Sequence, residues 1–322
     1  MTQIRRRDFI AGMGALGALS LAGGVARANM DSPFQVGVIS DEITQDFGHA
    51  CDVLSKEFGM HYVELRELWG KNLFDLDDNQ LKEAKDIIAK HNLRVIDIAS
   101  PLYKVNWPDA PKSKFSPKRD EFGAKFAFDQ QKDVLDHSIK LAKMFDCARV
   151  RCFDFWRLDD QKPYRDAIDK VLLDAANKLG DNGLILVLEN EPSCNTATGE
   201  ESGRLLAAVQ SPHFFLNWDP GNAQYHGETP YPDGYSHIPK NRINHCHVKD
   251  AEKKPSGNGY EWACMGKGLI DWTGQFRALK NDGYRHAVSL ETHWRGGGTP
   301  EESTRQCWAG MKQELTKAGI LS

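Results

Sequence analysis

The chain has 322 residues, of which 40% are hydrophobic and 27% are charged, and its formal net charge is −4. This length favours one α/β barrel over a small two-layer domain. The acidic balance gives no electrostatic reason to expect nucleic-acid binding, which usually requires a basic face.

The first 28 residues have the pattern of an export signal. Arg6-Arg7-Asp8-Phe9-Ile10 resembles a twin-arginine motif, residues 11–25 are rich in Gly and Ala, and Ala26-Arg27-Ala28 supplies a small-x-small cleavage site. The apolar stretch is shorter than the roughly 18 to 20 residues that span a bilayer, and glycines interrupt it. We therefore expect residues 1–28 to be a twin-arginine signal peptide. The mature chain, residues 29–322, would be periplasmic, with no stable membrane insertion after cleavage.

Strand and helix patterns alternate along the mature chain. Several strands are continuous apolar runs, as expected when both faces of a parallel sheet are covered. The helical stretches carry apolar residues at three-and-four spacing. Strands are predicted at Gln35–Ile39, Tyr62–Leu65, Arg94–Ala99, Ala148–Phe153, Leu184–Leu188, Phe214–Trp218, Ile243–His247 and Ala287–Leu290. The clearest helices are predicted at Gln80–His91, Asp129–Phe145, Asp166–Leu179 and Glu301–Ala318.

Eight strand-helix units predict a single-domain α/β fold, the (β/α)8 TIM barrel, over residues 29–322. A doubly wound sheet is disfavoured because no G-x-G-x-x-G follows the first strand. Residues 101–126, 219–236 and 251–268 are predicted to be long loops at the carboxyl rim of the barrel, where such loops usually shape a site.

Four of the later strands each end in a residue that can bind a metal: Glu189, Asp219, His247 and Glu291. These residues lie 30, 28 and 44 positions apart, which is about one strand-helix unit with one longer loop. Because parallel barrel strands end at the same rim, the four side chains should converge. Three carboxylates and one imidazole suit one divalent cation.

With these residues in view, the chain resembles the xylose-isomerase-like superfamily of sugar isomerases and epimerases, and most closely its exported branch with ketose 3-epimerase-type metal ligands. The resemblance covers roughly residues 36–315. The motifs that carry it are Ser40-Asp41-Glu42-Ile43, Val63-Glu64-Leu65-Arg66, Leu188-Glu189-Asn190, Trp218-Asp219-Pro220-Gly221-Asn222, His245-Cys246-His247-Val248-Lys249-Asp250, Gly266-Lys267-Gly268-Leu269-Ile270-Asp271-Trp272 and Leu290-Glu291-Thr292.

The resemblance implies that Glu189, Asp219, His247 and Glu291 bind one divalent ion, which would be Mn²⁺, Mg²⁺, Co²⁺ or Zn²⁺. It also implies that Glu189 and Glu291 are the catalytic acid/base pair. Such enzymes remove a proton next to a sugar carbonyl, and a cation stabilises the resulting enediolate. His245 lies on the same strand face as His247 but deeper, so it is expected to support the site from below.

The predicted substrate-binding residues are polar side chains near the carboxyl rim: Glu42, Glu64, Arg66, Lys104, Arg151, Asn222, His226 and Lys253. Asn222 and Lys253 replace a His and an Arg of the ketose epimerases, so the substrate differs from theirs or is bound differently. The alternative for Glu64 and Arg66 is a mutual salt bridge at the rim.

The leading hypothesis is a sugar isomerase or epimerase for a small, non-phosphorylated carbohydrate, since export argues against phosphorylated intermediates. The alternative is a lyase for 3-keto-glycosides, or a C-glycoside deglycosidase, that uses the same site for β-elimination. An endonuclease IV-like barrel is opposed by the absence of histidines after strands two and three and by the acidic balance. A non-catalytic sugar-binding barrel is opposed by the two glutamates. The sequence leaves open the sugar, the metal and any assembly into a homo-oligomer.

Overall fold

Eight parallel strands close into a barrel in a computed structural model that describes residues 32–115 and 126–322. The predicted signal peptide and residues 116–125 of the first predicted loop lie outside the described residues. Neighbouring strands follow chain order, and the first strand pairs with the last. This closed parallel barrel confirms the predicted (β/α)8 fold class.

The barrel strands agree with the predicted ones to within one residue at each end. They are β1 (Gln35–Ile39), β2 (Tyr62–Leu65), β3 (Arg94–Ile98), β4 (Arg149–Cys152), β5 (Ile185–Glu189), β6 (Phe214–Trp218), β7 (Ile243–Val248) and β8 (Ala287–Leu290). Most of their residues are buried, because side chains alternate between the barrel interior and the layer under the helices.

An α-helix follows every barrel strand. The helices are α1 (Phe47–Asp52), α2 (Asp78–Lys90), α3 (Gln131–Met144), α4 (Arg165–Gly180), α5 (Gly199–Ala208), α6 (Pro220–His226), α7 (Trp272–Asn281) and α8 (Pro300–Lys317). Short 3-10 turns span Ser40–Glu42, Leu73–Asp75, Phe128–Gln130 and Lys240–Arg242, and π-type turns span Val53–Glu57 and Pro230–Gly234. Among the described residues, we find no helix both long and apolar enough to cross a membrane.

Two of the predicted loops contain regular structure. Residues 219–236 begin as α6, because Asp219 caps the helix by accepting a hydrogen bond from the Asn222 N–H at 2.8 Å and Pro220 occupies the first turn. Residues 251–268 are mostly a β-hairpin, in which Asp250–Lys253 pairs antiparallel with Tyr260–Ala263. The hairpin turn contains Gly257 and Gly259, both at positive φ. A smaller hairpin pairs Glu67–Leu68 with Lys71–Asn72.

Candidate metal centre

The four predicted metal ligands converge at the carboxyl rim of the barrel. Glu189 ends β5, Asp219 follows β6, His247 lies in β7 and Glu291 follows β8, and none is more than 2% exposed. Nδ1 of His247 lies 3.3 Å from Glu189 Oε1, 3.3 Å from Glu291 Oε2 and 3.8 Å from Asp219 Oδ2. One cation placed between these atoms would contact all four residues.

The donor set fits a divalent cation. Nε2 of His247 donates a hydrogen bond to Glu64 Oε1 at 3.0 Å, which leaves a lone pair on Nδ1 in the neutral imidazole. Within the described part of the chain, Nδ1 has no hydrogen-bond partner although it is fully buried. A buried, unpaired nitrogen that faces three carboxylates is costly unless a cation binds there.

Lys249 already brings a positive charge to this position. Its Nζ lies 2.7 Å from Asp219 Oδ2, 4.0 Å from Glu189 Oε1 and in contact with Glu291 Oε2. Sequence reasoning did not single out Lys249. Strand alternation was the available signal for Lys249. Every second side chain of a strand points to the same face, so residue 249 is expected on the same face as residues 245 and 247.

Electrostatics around the centre favours positive charge. Burial lowers the pKa of the His247 imidazole, but Glu64, Glu189 and Glu291 outweigh burial and raise that pKa well above its usual value. Burial raises the pKa of Asp219 to about 7, with Lys249 opposing and the two glutamates adding to the rise. The site therefore favours positively charged groups, whether protons, an ammonium group or a metal ion.

Each glutamate ligand is held by a buried arginine on its other oxygen. Arg151 donates to Glu189 Oε2 at 3.0 Å, and Arg66 donates to Glu291 Oε1 at 2.8 Å. Burial would raise the pKa of Glu189, but His247 and Arg151 lower it to about 2. For Glu291, burial is outweighed first by Lys249, so its pKa also lies well below the usual value. Both carboxylates are therefore ionised at neutral pH.

Glu64 and Arg66 form their hydrogen bonds and ion pairs at the site with other residues and not with each other. Glu64 lies beneath the centre, fully buried against His247 and His245, the latter with Nε2 at 3.2 Å from Glu64 Oε2. Arg66 instead pairs with Asp41, Glu42 and Glu291. The proposed mutual salt bridge is therefore replaced by contacts with distant parts of the chain, and His245 lies deep, as predicted.

The structure places the remaining predicted substrate residues at different distances from the centre. Asn222 is buried and donates to Glu189 Oε1 at 3.1 Å, so it contacts a ligand glutamate. Lys104 lies near the rim, 3.5 Å from Glu191. Lys253 is exposed on the hairpin. His226 is half-buried at the end of α6, where burial and then Arg157 lower its pKa.

A pocket of about 780 Å³ opens beside Glu291, between the β1, β2 and β8 ends of the barrel. This rim pocket is lined by Asp41, Gln45, Arg66, Trp262, His293 and Glu301, among others. Trp262, carried by the hairpin, stacks on Tyr225 with ring centroids 4.6 Å apart and lies 5.2 Å from Lys249 Nζ. Sequence reasoning missed Trp262, whose position depends on how the hairpin folds back over the rim. Lys253 and His226 do not line this pocket.

A family model described as "Xylose isomerase-like TIM barrel" matches residues 53–313. Among solved structures, the chain is similar to D-allulose 3-epimerase from Methylomonas sp., at 15% identity and a TM-score of 0.66, covering 89% of this chain and 99% of that chain. It is similar to the probable 3-DHS dehydratase AsbF involved in petrobactin synthesis from Bacillus anthracis, at 16% identity and a TM-score of 0.64, covering 86% and 97%. A third is a xylose isomerase-like TIM barrel protein from Mycobacterium smegmatis in complex with magnesium, at 16% identity and a TM-score of 0.62, covering 86% and 89%. No curated protein matches the sequence. At these identities the structural likeness concerns the fold.

Proposed function

Since the chain belongs to the xylose isomerase-like TIM barrel family, we propose that it is a divalent-metal-dependent isomerase or epimerase for a non-phosphorylated carbohydrate. One observation carries the proposal: Glu189 and Glu291 approach the same cation position from β5 and β8, each with an oxygen 3.3 Å from His247 Nδ1. A divalent ion at that position would polarise a sugar carbonyl and so acidify the neighbouring C–H bond.

The two glutamates are the groups that move the proton. Each is ionised and fixed by an arginine on its outer oxygen, so each presents one carboxylate oxygen towards the centre. A carboxylate on one side of a substrate can remove the proton, and the other side must then supply a proton to the opposite face, which the Lys249 ammonium group beside Glu291 can provide. This arrangement supports epimerisation as well as isomerisation.

The position that holds a His in ketose epimerases has a different task in this chain. The Asn222 amide donates to Glu189 Oε1 at 3.1 Å and to the Asn190 carbonyl oxygen at 2.8 Å. It therefore orients a catalytic carboxylate. The substrate hydroxyl that a His would bind must find another partner, which supports a substrate other than a free ketohexose of the epimerase type.

Proton exchange tests the proposal. The Mn²⁺-loaded protein is incubated in deuterated water with a panel of keto-sugars and 3-keto-glycosides, and deuterium next to the carbonyl is measured by NMR. We expect exchange with at least one compound and none with Glu189→Gln. Glu200→Gln, on the exposed first turn of α5, is the matched control. Metal content is measured in all three proteins, and a metal-loaded wild type without exchange at any carbon contradicts the proposal.

Lys249 favours a second candidate, β-elimination from a 3-keto-glycoside. Elimination removes the proton next to the carbonyl, forms a C=C bond and breaks the C–O bond to the leaving group, which then needs a proton. The Lys249 ammonium group beside Glu291 supplies such a donor. Product analysis separates the two reactions, because elimination releases the aglycone whereas epimerisation leaves the glycosidic bond intact.

A further inference from the structure

The rim pocket lies beside the metal centre, and its described lining includes none of the four metal ligands. Its inner end is defined by contacts with Glu291, whose Oε1 accepts from Arg66 at 2.8 Å and lies 3.3 Å from His293 Nε2. The wall of the pocket continues from Arg66 to Asp41, with Arg66 Nη2 lying 2.7 Å from Asp41 Oδ2. Asp41 Oδ1 accepts from the Glu67 N–H at 3.3 Å.

The outer end lies between the loop after β1 and the start of α8. The side-chain amide of Gln45 donates from its nitrogen to Glu67 Oε2 at 3.2 Å, and its oxygen Oε1 accepts from the Gly70 N–H at 2.9 Å. Across the opening, Glu301 is paired with His49 at 2.9 Å. The outer wall is therefore built from side chains that are hydrogen-bonded into place.

The pocket is large enough to hold a sugar ring of its own. A volume of about 780 Å³ lies in the upper part of the range of roughly 300–1,000 Å³ for sites that enclose drug-sized ligands. Because the metal ligands do not line it, a six-carbon sugar at the metal centre leaves the pocket, between Trp262 and Glu301, for another group.

The charges of the pocket disfavour an anionic group. Its described lining contains four carboxylates, Asp41, Glu42, Glu67 and Glu301, against two guanidinium groups. Arg66 is paired with three carboxylates, and Arg295 with Glu42 at 2.7 Å. A phosphate or carboxylate would meet net negative charge, because the arginines that usually bind such groups are already neutralised.

The lining suits a neutral ring with hydroxyl groups. Trp262 offers an aromatic wall backed by Tyr225, and the indole is held edge-on by His293, with ring centroids 5.0 Å apart. Thr44, Gln45 and Glu67 add hydrogen-bonding groups on the facing side. Aromatic walls combined with a few polar groups are typical of small-molecule sites that bind an uncharged ligand.

We infer that the substrate is a neutral glycoside, whose reacting sugar lies at the metal centre and whose second ring occupies the adjacent rim pocket. The inference rests on the proposed function for the position of the reacting ring. It adds a second subsite, and it identifies the substrate class as larger than a free monosaccharide.

A blocked rim pocket tests the subsite. Thr44 lines the pocket and is not a metal ligand, so Thr44→Phe should fill part of the pocket, and Thr44→Ser is the matched control that keeps the hydroxyl group. Deuterium exchange is measured for 3-ketolactose and 3-ketoglucose with the Mn²⁺-loaded proteins. We expect wild type to prefer the disaccharide at least tenfold in kcat/KM, and Thr44→Phe to lower this ratio at least tenfold.

Binding of unreactive sugars separates failure of the subsite from failure of the proposed function. Lactose, glucose and glucose 6-phosphate are titrated into the same proteins, and tryptophan fluorescence is followed. We expect lactose to bind at least tenfold more tightly than either monosaccharide, with this advantage lost in Thr44→Phe. Exchange of 3-ketoglucose without any preference for 3-ketolactose overturns the subsite alone. Absence of exchange overturns the proposed function, and equal binding of lactose and glucose then overturns the subsite as well.

Discussion

Replacing Lys249 with Met removes the ammonium group from the metal centre and keeps a long side chain in its place. Lys249 Nζ lies 2.7 Å from Asp219 Oδ2 and contacts Glu291, and the three side chains are at most 3% exposed. Removing one partner of a buried ion pair costs about 3–5 kcal/mol, because the other charge stays buried. Burial raises the pKa of Asp219 to about 7 although Lys249 lowers it, so removing Lys249 raises this pKa further, and protonation of Asp219 in the variant limits the loss. We expect metal-free Lys249→Met to lose about 3 kcal/mol of unfolding free energy at pH 8.

Divalent metal should reverse this loss. A ligand that binds only the folded protein stabilises it by RT ln(1 + [L]/Kd). In the variant the Lys249 ammonium group no longer repels the ion, so we expect Mn²⁺ to bind the variant more tightly than wild type. Urea unfolding of chelator-treated protein, with and without Mn²⁺, measures the stability, and calorimetry measures the affinity.

The control for this experiment is Lys254→Met, on the exposed part of the hairpin, which should change stability by no more than about 0.5 kcal/mol. Metal-free Lys249→Met within 1 kcal/mol of wild type, or weaker Mn²⁺ binding by the variant, would refute the reasoning that Lys249 offsets the negative charge of the carboxylate ligands.

Glu64→Gln weakens the hydrogen bond that orients His247, so calorimetry should show a fall in Mn²⁺ affinity of about 10- to 100-fold. An unchanged affinity would show that Glu64 does not support metal binding. Chelation should abolish deuterium exchange and Mn²⁺ should restore it, whereas exchange that survives complete metal removal argues for metal-free chemistry. Burial raises the pKa of Asp154 from 3.8 to about 6, against two hydrogen bonds from Thr196. A raised folded-state pKa means stability that is present below pH 3.8 and lost as the pH rises through about 6. The loss is about 3 kcal/mol at 1.36 kcal/mol per pKa unit. Asp154→Asn should therefore show a smaller fall in unfolding free energy than wild type between pH 4.5 and 7.5, and parallel falls would contradict this assignment.

The barrel was predictable because its strands carry a strong local signal. Phe214–Trp218 is apolar except for Asn217 and lies between Pro212 and Pro220, and its bounds in the structure equal the predicted ones. Where turn residues mix with helix signals, the prediction was wrong. Residues 219–236 contain three prolines and were expected to be a loop, although Asp219 and Pro220 together form a helix start.

Convergence of the four ligands was also predictable, since it follows from the geometry of parallel strands alone. The partners of the ligands were not. Arg66 contacts Glu291, which is 225 positions away, and Glu64 contacts His247, which is 183 positions away. Such pairings depend on how the barrel closes between its first and last strands, so they cannot be predicted from the local sequence.

The two glutamates proposed to be catalytic are chemically unequal, and this asymmetry constrains the proposed reaction. The inner oxygen of Glu189 is approached by a neutral amide, that of Asn222 at 3.1 Å, whereas the inner oxygen of Glu291 contacts the Lys249 ammonium group. A contact with a cation stabilises the ionised carboxylate more than an amide does, so Glu291 is the weaker base. Within the proposed function, Glu189 is therefore the group that removes the proton. Glu291 and Lys249 then form the side of the site that donates one, either to the opposite face of the carbon or to a departing oxygen.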